Sequence, residues 1–146
     1  MRRLLAASIV VGSVVVAAQF ERFARTNPPI VSDLVAPHDV TGILRAACYD
    51  CHSNETRWPW YTAIAPLSWL IDHDVTEGRR RLNFSQWASY ASDPGTVSQK
   101  LAKISQVVAN GDMAPWYYRL LHPNARLAPA QRQALIRWVT QETAHQ

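Results

Sequence analysis

The sequence has 146 residues and a formal net charge of +4, with 15 Lys and Arg residues against 11 Asp and Glu residues. Residues 24–146 hold all but three of the basic residues and all but one of the acidic residues, so their net charge is only +2. An excess this small does not make the basic surface that nucleic-acid-binding proteins use, and we expect no nucleic-acid partner. After an N-terminal segment, the length suits a single domain of about 120 residues.

Residues 1–23 begin with two arginines and continue as an uncharged, largely apolar run over residues 4–18. A charged start followed by an apolar run is typical of an export signal. The run is short for a membrane helix of ~20 residues, although counting on to Phe23 brings it closer. We predict a retained N-terminal membrane helix rather than a cleaved signal peptide, which the small pair Ala17-Ala18 would also allow.

Residues 24–38 are rich in proline and show no helical periodicity, which predicts an extended tether. Asp39 then caps a predicted helix, and the domain is expected to occupy residues 39–146. The apolar residues of this helix recur with the spacing of one helix face. They are Val40, Ile43, Leu44 and Ala47.

The helix leads directly into Cys48-Tyr49-Asp50-Cys51-His52. This spacing of two thiols and an imidazole is the attachment signature of c-type haem. In that chemistry Cys48 and Cys51 add across the two vinyl groups of one haem, and His52 offers a ring nitrogen to the iron. The cofactor predicted from these residues is therefore a single, covalently bound haem c.

The two cysteines have two other interpretations. A dithiol redox centre expects a βαβ context, whereas the flanking residues are typical of helices. A zinc site normally takes four ligands. With only two cysteines, the chain would have to recruit His52 together with a distant His38, His73 or His122.

Residues 53–66 predict a loop that covers the edge of the cofactor. Its hydrogen-bond donors could bind the haem propionates. They are Arg57, Trp58, Trp60 and Tyr61. At the end of the loop, the carbonyl of Pro66 is predicted to accept from the second ring nitrogen of His52 and so fix its tautomer.

Three further helices follow from the apolar spacing. The first runs from Leu67 to about Gly78, and we expect Arg79-Arg80-Arg81 to form its solvated end, or one of them to bind a propionate or a partner's acidic surface. The second runs over residues 96–109 and stops at Asn110-Gly111. The last begins at Pro129. No strand pattern is found, so the predicted class is all-α.

Met113 is the only methionine besides Met1, and it lies on the loop directly after the Asn110-Gly111 stop. A thioether on a loop is a natural sixth ligand for low-spin haem iron. The alternative is a gap-filling apolar residue. We predict that Met113 is the second axial ligand, with a histidine as the alternative.

Five stretches of the sequence carry a resemblance to a known family: residues 48–61, 64–70, 74–79, 82–87 and 120–123. Through them the chain resembles the small bacterial haem-binding domain family of membrane-anchored proteins related to cytochrome c. The likeness covers nearly all of residues 28–140. It implies a cytochrome c-like helical fold with covalent haem on Cys48 and Cys51 and His52 as axial ligand. In the family's pattern proline directly follows the methionine, whereas here Ala114 intervenes.

Three functions are compatible with these features. The first is a single-electron carrier with both axial positions filled, anchored in the bacterial cytoplasmic membrane with its domain in the periplasm. The second is a haem-based sensor or peroxidase-like enzyme with an open sixth site. The third is a structural subunit in which haem is mainly a folding core. No second catalytic constellation is evident, which favours the electron carrier; its redox partner is not indicated by the sequence.

Overall fold

The computed structural model describes residues 2–21 and 23–145. Within these residues the fold is helical, and β-structure is limited to one isolated bridge between Ser32 and Gln86. The all-α prediction is therefore confirmed. In chain order the α-helices are α1 (Arg2–Ala18), α2 (His38–Ala47), α3 (Tyr49–His52), α4 (Leu67–Arg81), α5 (Ala88–Ala91), α6 (Pro94–Asn110), α7 (Trp116–Leu121) and α8 (Pro129–Ala144), with short 3-10 turns at Trp60–Ala63 and Pro123–Ala125.

The N-terminal helix corrects one prediction. α1 has 17 residues, which at ~1.5 Å per residue gives a length of about 25 Å, short of the ~30 Å hydrocarbon core of a membrane. Across residues 2–21 and 23–145, no helix has both the length and the apolar character needed to cross a membrane. The predicted membrane helix, and the location at the cytoplasmic membrane that depended on it, are therefore wrong.

The residues counted toward a longer span leave the helix for a specific reason. Gln19 and Phe20 form a turn after Ala18. The Gln19 side chain then accepts a hydrogen bond from the amide of Ala65 at 3.0 Å and donates one to the carbonyl of the same residue at 3.4 Å. The chain is thus tied to the loop that precedes α4 instead of continuing as an apolar helix.

The hydrophobic core lies where α2, α6 and α8 pack together. The face predicted for α2 is buried at all four positions, and Leu135 and Trp138 of α8 belong to the same cluster. The spacing predictions succeed here because burial of one apolar stripe decides the orientation of each helix. On α6 the buried residues are Val97, Leu101, Ile104 and Val108.

Two glycines that follow apolar stretches have different roles. Gly111 ends α6 in the left-handed conformation, with φ of 75°, as its stop signal predicted. Gly78 lies inside α4, which continues to Arg81, so the predicted helix end near Gly78 is wrong. α2 also begins one residue before Asp39, which lies in its first turn and does not cap it.

Residues 23–37 contain no helix and lie along the segment that follows α4. The amides of Val31 and Ser32 both donate to the carbonyl of Ser85, and the amide of Leu34 donates to Phe84. Leu34 is buried in the core. This extended segment is therefore hydrogen-bonded to the helical domain along much of its length.

Candidate functional site

The two cysteines lie at the junction of α2 and α3. The amide of Cys48 continues the hydrogen bonding of α2 by donating to Leu44, and its carbonyl accepts from the amides of Cys51 and His52. This single helical turn brings all three predicted attachment residues together. Neither cysteine forms a disulfide.

α4 packs unusually close to this turn. A Cβ placed on Gly78 would overlap the backbone carbonyl oxygen of Cys51. Only glycine permits two backbones to approach in this way. Gly78 is therefore a close-contact residue that sets how deeply α4 lies against the attachment turn.

The same close contact orients the imidazole. His52 Nδ1 lies 3.0 Å from the carbonyl oxygen of Gly78 and 3.2 Å from that of Leu82. Because carbonyl oxygens only accept, Nδ1 must carry a proton, which leaves the lone pair on Nε2. The predicted partner, the carbonyl of Pro66, instead accepts from the amides of Trp69 and Leu70.

Burial controls the protonation of the three residues. It raises the pKa of the Cys48 and Cys51 thiols to about 12, so both are protonated at neutral pH. A dithiol redox centre needs a lowered thiol pKa, and this site has the opposite arrangement. Burial also lowers the pKa of His52, against the two carbonyl contacts that raise it, which favours the neutral imidazole that ligates iron.

A cleft enclosing about 910 Å³ of empty space, partly open to solvent, lies beside this turn. Cys48, Cys51, His52 and Met113 all line it. In the part of the chain that the structure describes, α6 makes no close backbone approach to α3 or α4, and the cleft occupies the space between them. Much of its remaining lining is apolar, including Leu82, Phe84, Ile104, Val107 and Val108.

Met113 reaches the cleft from the loop between α6 and α7. Gly111 ends α6, and the amide of Asp112 donates back to Val107 at 3.0 Å, which turns the loop toward the cleft. Ala114, the residue that departs from the expected proline, is buried, whereas Met113 remains 38% exposed. The cleft therefore joins two sequence signals that are 61 residues apart.

Asp50, between the two cysteines, connects the attachment turn to two other parts of the chain. Its carboxylate accepts from the Tyr118 hydroxyl at 2.6 Å, from the Arg57 amide at 3.1 Å and from the Arg57 guanidinium at 3.1 and 3.2 Å. Burial, then the Asp50 carboxylate, raises the pKa of Tyr118, so the phenol keeps its proton. Asp50 thus has a structural role as a hydrogen-bond acceptor within the motif.

The residues predicted to surround the cofactor lie outside the cleft lining. Arg57 pairs with Asp50, Tyr61 is buried with its hydroxyl near His122, and Trp60 is exposed. The cations that do line the cleft are Arg81, Lys100 and Lys103. Of these, only Arg81 belongs to a stretch that the sequence analysis named. Lys100 and Lys103 could have been found from their spacing, which places both beside the apolar stripe of α6.

The three consecutive arginines differ in their surroundings. Arg80 and Arg81 pair with Glu77 at the surface. Arg79 instead donates to the carbonyls of Ser53 and Thr26 and to the side chains of Asn27 and Thr56. The prediction of a solvated end is therefore wrong for Arg79, which joins α4 to the loop after His52 and to the N-terminal segment.

The zinc alternative can be checked against the arrangement of possible ligands. Among residues 2–21 and 23–145, no three His, Cys, Asp or Glu side chains are grouped so that they could hold a metal ion. His122 in particular is engaged with Tyr61 and Tyr118. Among the described residues, the motif histidine and cysteines are thus not part of a group that could hold a zinc ion.

The residues that line the cleft fit a haem. One neutral imidazole, one thioether and two thiols converge on an apolar space, with cations at its border. A family model described as a haem-binding domain matches residues 9–141 of the chain. Searches of curated proteins and of solved structures gave no match.

Proposed function

The chain belongs to the haem-binding domain family, and we propose that it binds one haem covalently through Cys48 and Cys51 and serves as a single-electron carrier. In this proposal His52 Nε2 and the Met113 thioether are the two axial ligands of the iron. The observation that supports it is the common cleft lined by all four side chains.

Each residue has a separate task in this proposal. When bound, the haem supplies an iron that exchanges one electron between its ferric and ferrous states. Gly78 and Leu82 hold the His52 Nδ1–H, so the ligating ring keeps one orientation and one tautomer. Met113 raises the reduction potential relative to a second histidine.

In this proposal the apolar lining contacts the haem macrocycle, and the cations bind the haem propionates. Phe84, Ile104 and Val108 exclude water from the macrocycle and lower the local dielectric. We assign the propionates to the basic border of Arg81, Lys100 and Lys103, which line the cleft, in preference to Arg57, which does not line it.

One observation favours a second candidate function. Met113 is 38% exposed, so its thioether is less firmly held than the His52 ring. If Met113 only packs against the haem, the sixth position is open to a diatomic gas or to peroxide. The alternative function is then a haem-based sensor or a peroxidase-like enzyme.

Covalent attachment is tested by producing the protein with haem-maturation machinery and separating it on a denaturing gel. Haem is expected to stay with the polypeptide. Cys48→Ala and Cys51→Ala are each expected to leave one vinyl group free, which shifts the absorption of the reduced pyridine derivative. Haem that separates completely from the wild-type chain would contradict the proposal.

The sixth ligand is tested by absorption spectra of the oxidised, reduced and carbon monoxide-treated protein. We expect a low-spin wild type with the methionine–iron charge-transfer band and no carbon monoxide adduct. Met113→Leu, which keeps the volume but removes the sulfur, should lose the band and bind carbon monoxide. Met113→His is the matched control, because it restores a ligand and should remain low-spin.

The opposite result would favour the second candidate. A wild type that binds carbon monoxide readily, with a spectrum that Met113→Leu does not change, would mean that Met113 only packs. The sensor or peroxidase-like function would then replace electron transfer.

A further inference from the structure

Four aromatic residues form a continuous path from the cleft to the protein surface. Tyr118 lines the cleft, and its ring stacks on His122 with centroids 3.9 Å apart and planes 7° apart. His122 Nε2 lies 3.1 Å from the Tyr61 hydroxyl. The Tyr61 ring meets Trp60 edge to face at 5.9 Å, and Trp60 is 77% exposed. None of these contacts is needed to hold a haem.

The second contact of the His122 ring decides which atom donates in the hydrogen bond between Tyr61 and His122. His122 Nδ1 lies 3.1 Å from the carbonyl oxygen of Tyr118, which can only accept, so Nδ1 carries a proton. In the neutral ring Nε2 then has the free lone pair. The Tyr61 hydroxyl therefore donates to Nε2, and the phenol has a ready proton acceptor.

This arrangement matters because a phenol gives up an electron readily only when its proton can leave with it. Tyr61 is buried, and its hydroxyl contacts His122. Burial also raises the pKa of Tyr61, which keeps the phenol protonated until it is oxidised. His122 supplies the base that the buried site would otherwise lack.

We propose that Tyr61 is a redox-active tyrosine whose proton acceptor is His122, and that it carries oxidising equivalents from the cleft through Tyr118 to the exposed Trp60. The oxidant is hydrogen peroxide that has reacted at the haem. The proposal rests on the second candidate function, because peroxide can react at the haem only when the sixth position is open. Its role is to move oxidative damage away from Met113 and the haem.

The electrons and atoms balance as follows. Reduction of one hydrogen peroxide to two waters takes two electrons and two protons, and a bound haem would draw both electrons from the protein. An electron passes from Tyr61 toward the cleft as its O–H bond breaks and the proton binds His122 Nε2. Trp60 then returns an electron to Tyr61, and His122 returns the proton.

A second passage along the same path removes a second electron from Trp60. The indole loses two protons to water and adds one water, which gives a hydroxylated tryptophan. The net reaction is peroxide plus indole to hydroxyindole plus one water. Trp60 therefore gains one oxygen atom, which a mass spectrometer detects without any activity assay.

The test treats the holoprotein, its haem content first measured by absorbance, with one equivalent of hydrogen peroxide. Rapidly frozen samples are examined by electron paramagnetic resonance, and digests by mass spectrometry. We expect a tyrosyl signal and one added oxygen on Trp60. Both should be lost in Tyr61→Phe, which removes only the hydroxyl, and the tyrosyl signal should be lost in His122→Gln, which cannot take up the proton.

A second aromatic pair gives matched controls. Trp116 and Tyr117 are also edge to face, at 5.7 Å, and Trp116 is 67% exposed, but neither residue lines the cleft. Tyr117→Phe and Trp116→Phe should leave the signal and the Trp60 oxidation unchanged.

Several outcomes would overturn the inference. They are oxygen added equally to Trp60 and Trp116, a tyrosyl signal that persists in Tyr61→Phe, or a haem-loaded protein that yields no tyrosyl signal. Each of these leaves the haem proposal intact, since haem content is measured first. A chain without haem would overturn both proposals.

Discussion

The two sides of the cleft are built differently. The attachment wall, which comprises residues 48–52 with Gly78 and Leu82, is fixed by hydrogen bonds to the imidazole and by a backbone contact that admits no side chain. The methionine wall, which comprises residues 112–115 and the facing side of α6, carries Met113 on a loop, 38% exposed. The comparison indicates that the fold holds His52, the first proposed ligand, whereas Met113, the second proposed ligand, would be held mainly by the cofactor.

The largest effect is expected from filling the space at the attachment wall. Gly78→Ala places a methyl group on the Cys51 carbonyl and should lower the free energy of unfolding by about 3 kcal/mol, because two backbones must separate. Gly42→Ala is the matched control, since Gly42 is exposed in α2 with nothing within 4 Å of a new Cβ. It should stabilise the protein by about 0.5–1 kcal/mol.

Urea unfolding of both variants measures this difference. Equal stability of Gly78→Ala and Gly42→Ala would show that α3 and α4 are not in close contact, and the comparison between the walls would lose its basis.

A second prediction concerns the link from the attachment wall to the rest of the chain. Arg79→Gln removes the guanidinium that donates hydrogen bonds to Ser53, Thr26 and Thr56. The free energy of unfolding should fall by about 2 kcal/mol. Arg80→Gln should change stability little, because Arg80 pairs with Glu77 in solvent. Thermal unfolding of the two variants measures the difference. Similar losses of stability in both would contradict the structural role of Arg79.

A smaller, pH-dependent effect is expected from His52 in the haem-free chain. Its pKa is lowered in the fold below the ordinary value of 6.5, so below pH 6.5 the unfolded chain binds the proton first. Stability should therefore fall as the pH drops through 6.5, by at most about 1.4 kcal/mol per pH unit, until the folded-state pKa is passed.

The control for this effect is His52→Gln, which cannot titrate. The difference in unfolding free energy between wild type and His52→Gln should shift in favour of the variant as the solution is acidified. Parallel pH profiles would mean that the fold does not keep His52 neutral.

The smallest effect is expected at the methionine wall. Met113→Leu should change the stability of the haem-free chain by less than about 0.5 kcal/mol, because the side chain is exposed and its volume is kept. The same substitution is expected to change the spectrum of the haem-loaded protein strongly. A large loss of stability without haem would show that Met113 is a core residue.

The sequence predicts structural features that follow a repeating pattern of residues or that have a single structural interpretation. The apolar stripes of α2 and α6 and the stop at Gly111 are of this kind, and the prediction of a haem-binding domain is confirmed by the family match. Gly78 could not be interpreted correctly, because glycine marks both helix ends and close contacts, and only the position of α3 distinguishes them. Arg79 and Arg80 are equivalent in sequence, and only tertiary contacts separate the arginine that joins three parts of the chain from the arginine in a surface ion pair.

The membrane prediction failed for a related reason. Hydropathy counts apolar residues whether or not they continue the helix, and here Gln19 leaves it to bind the backbone of Ala65. The basic border of the cleft was missed because Lys100 and Lys103 meet Arg81 only after α4 and α6 are placed on either side of the cleft.

Gly78 and Arg79 are consecutive, and this adjacency has a mechanical consequence. The carbonyl of Gly78 holds the imidazole of His52, while the side chain of Arg79 holds the N-terminal segment at Thr26 and Asn27. A pull on the N-terminal end that breaks the hydrogen bonds between Gln19 and Ala65 is then carried into α4, one residue away from the partner of His52. Arg79 acts as an anchor that bears this load, and its bonds would have to break before the tension could rotate the ring of His52.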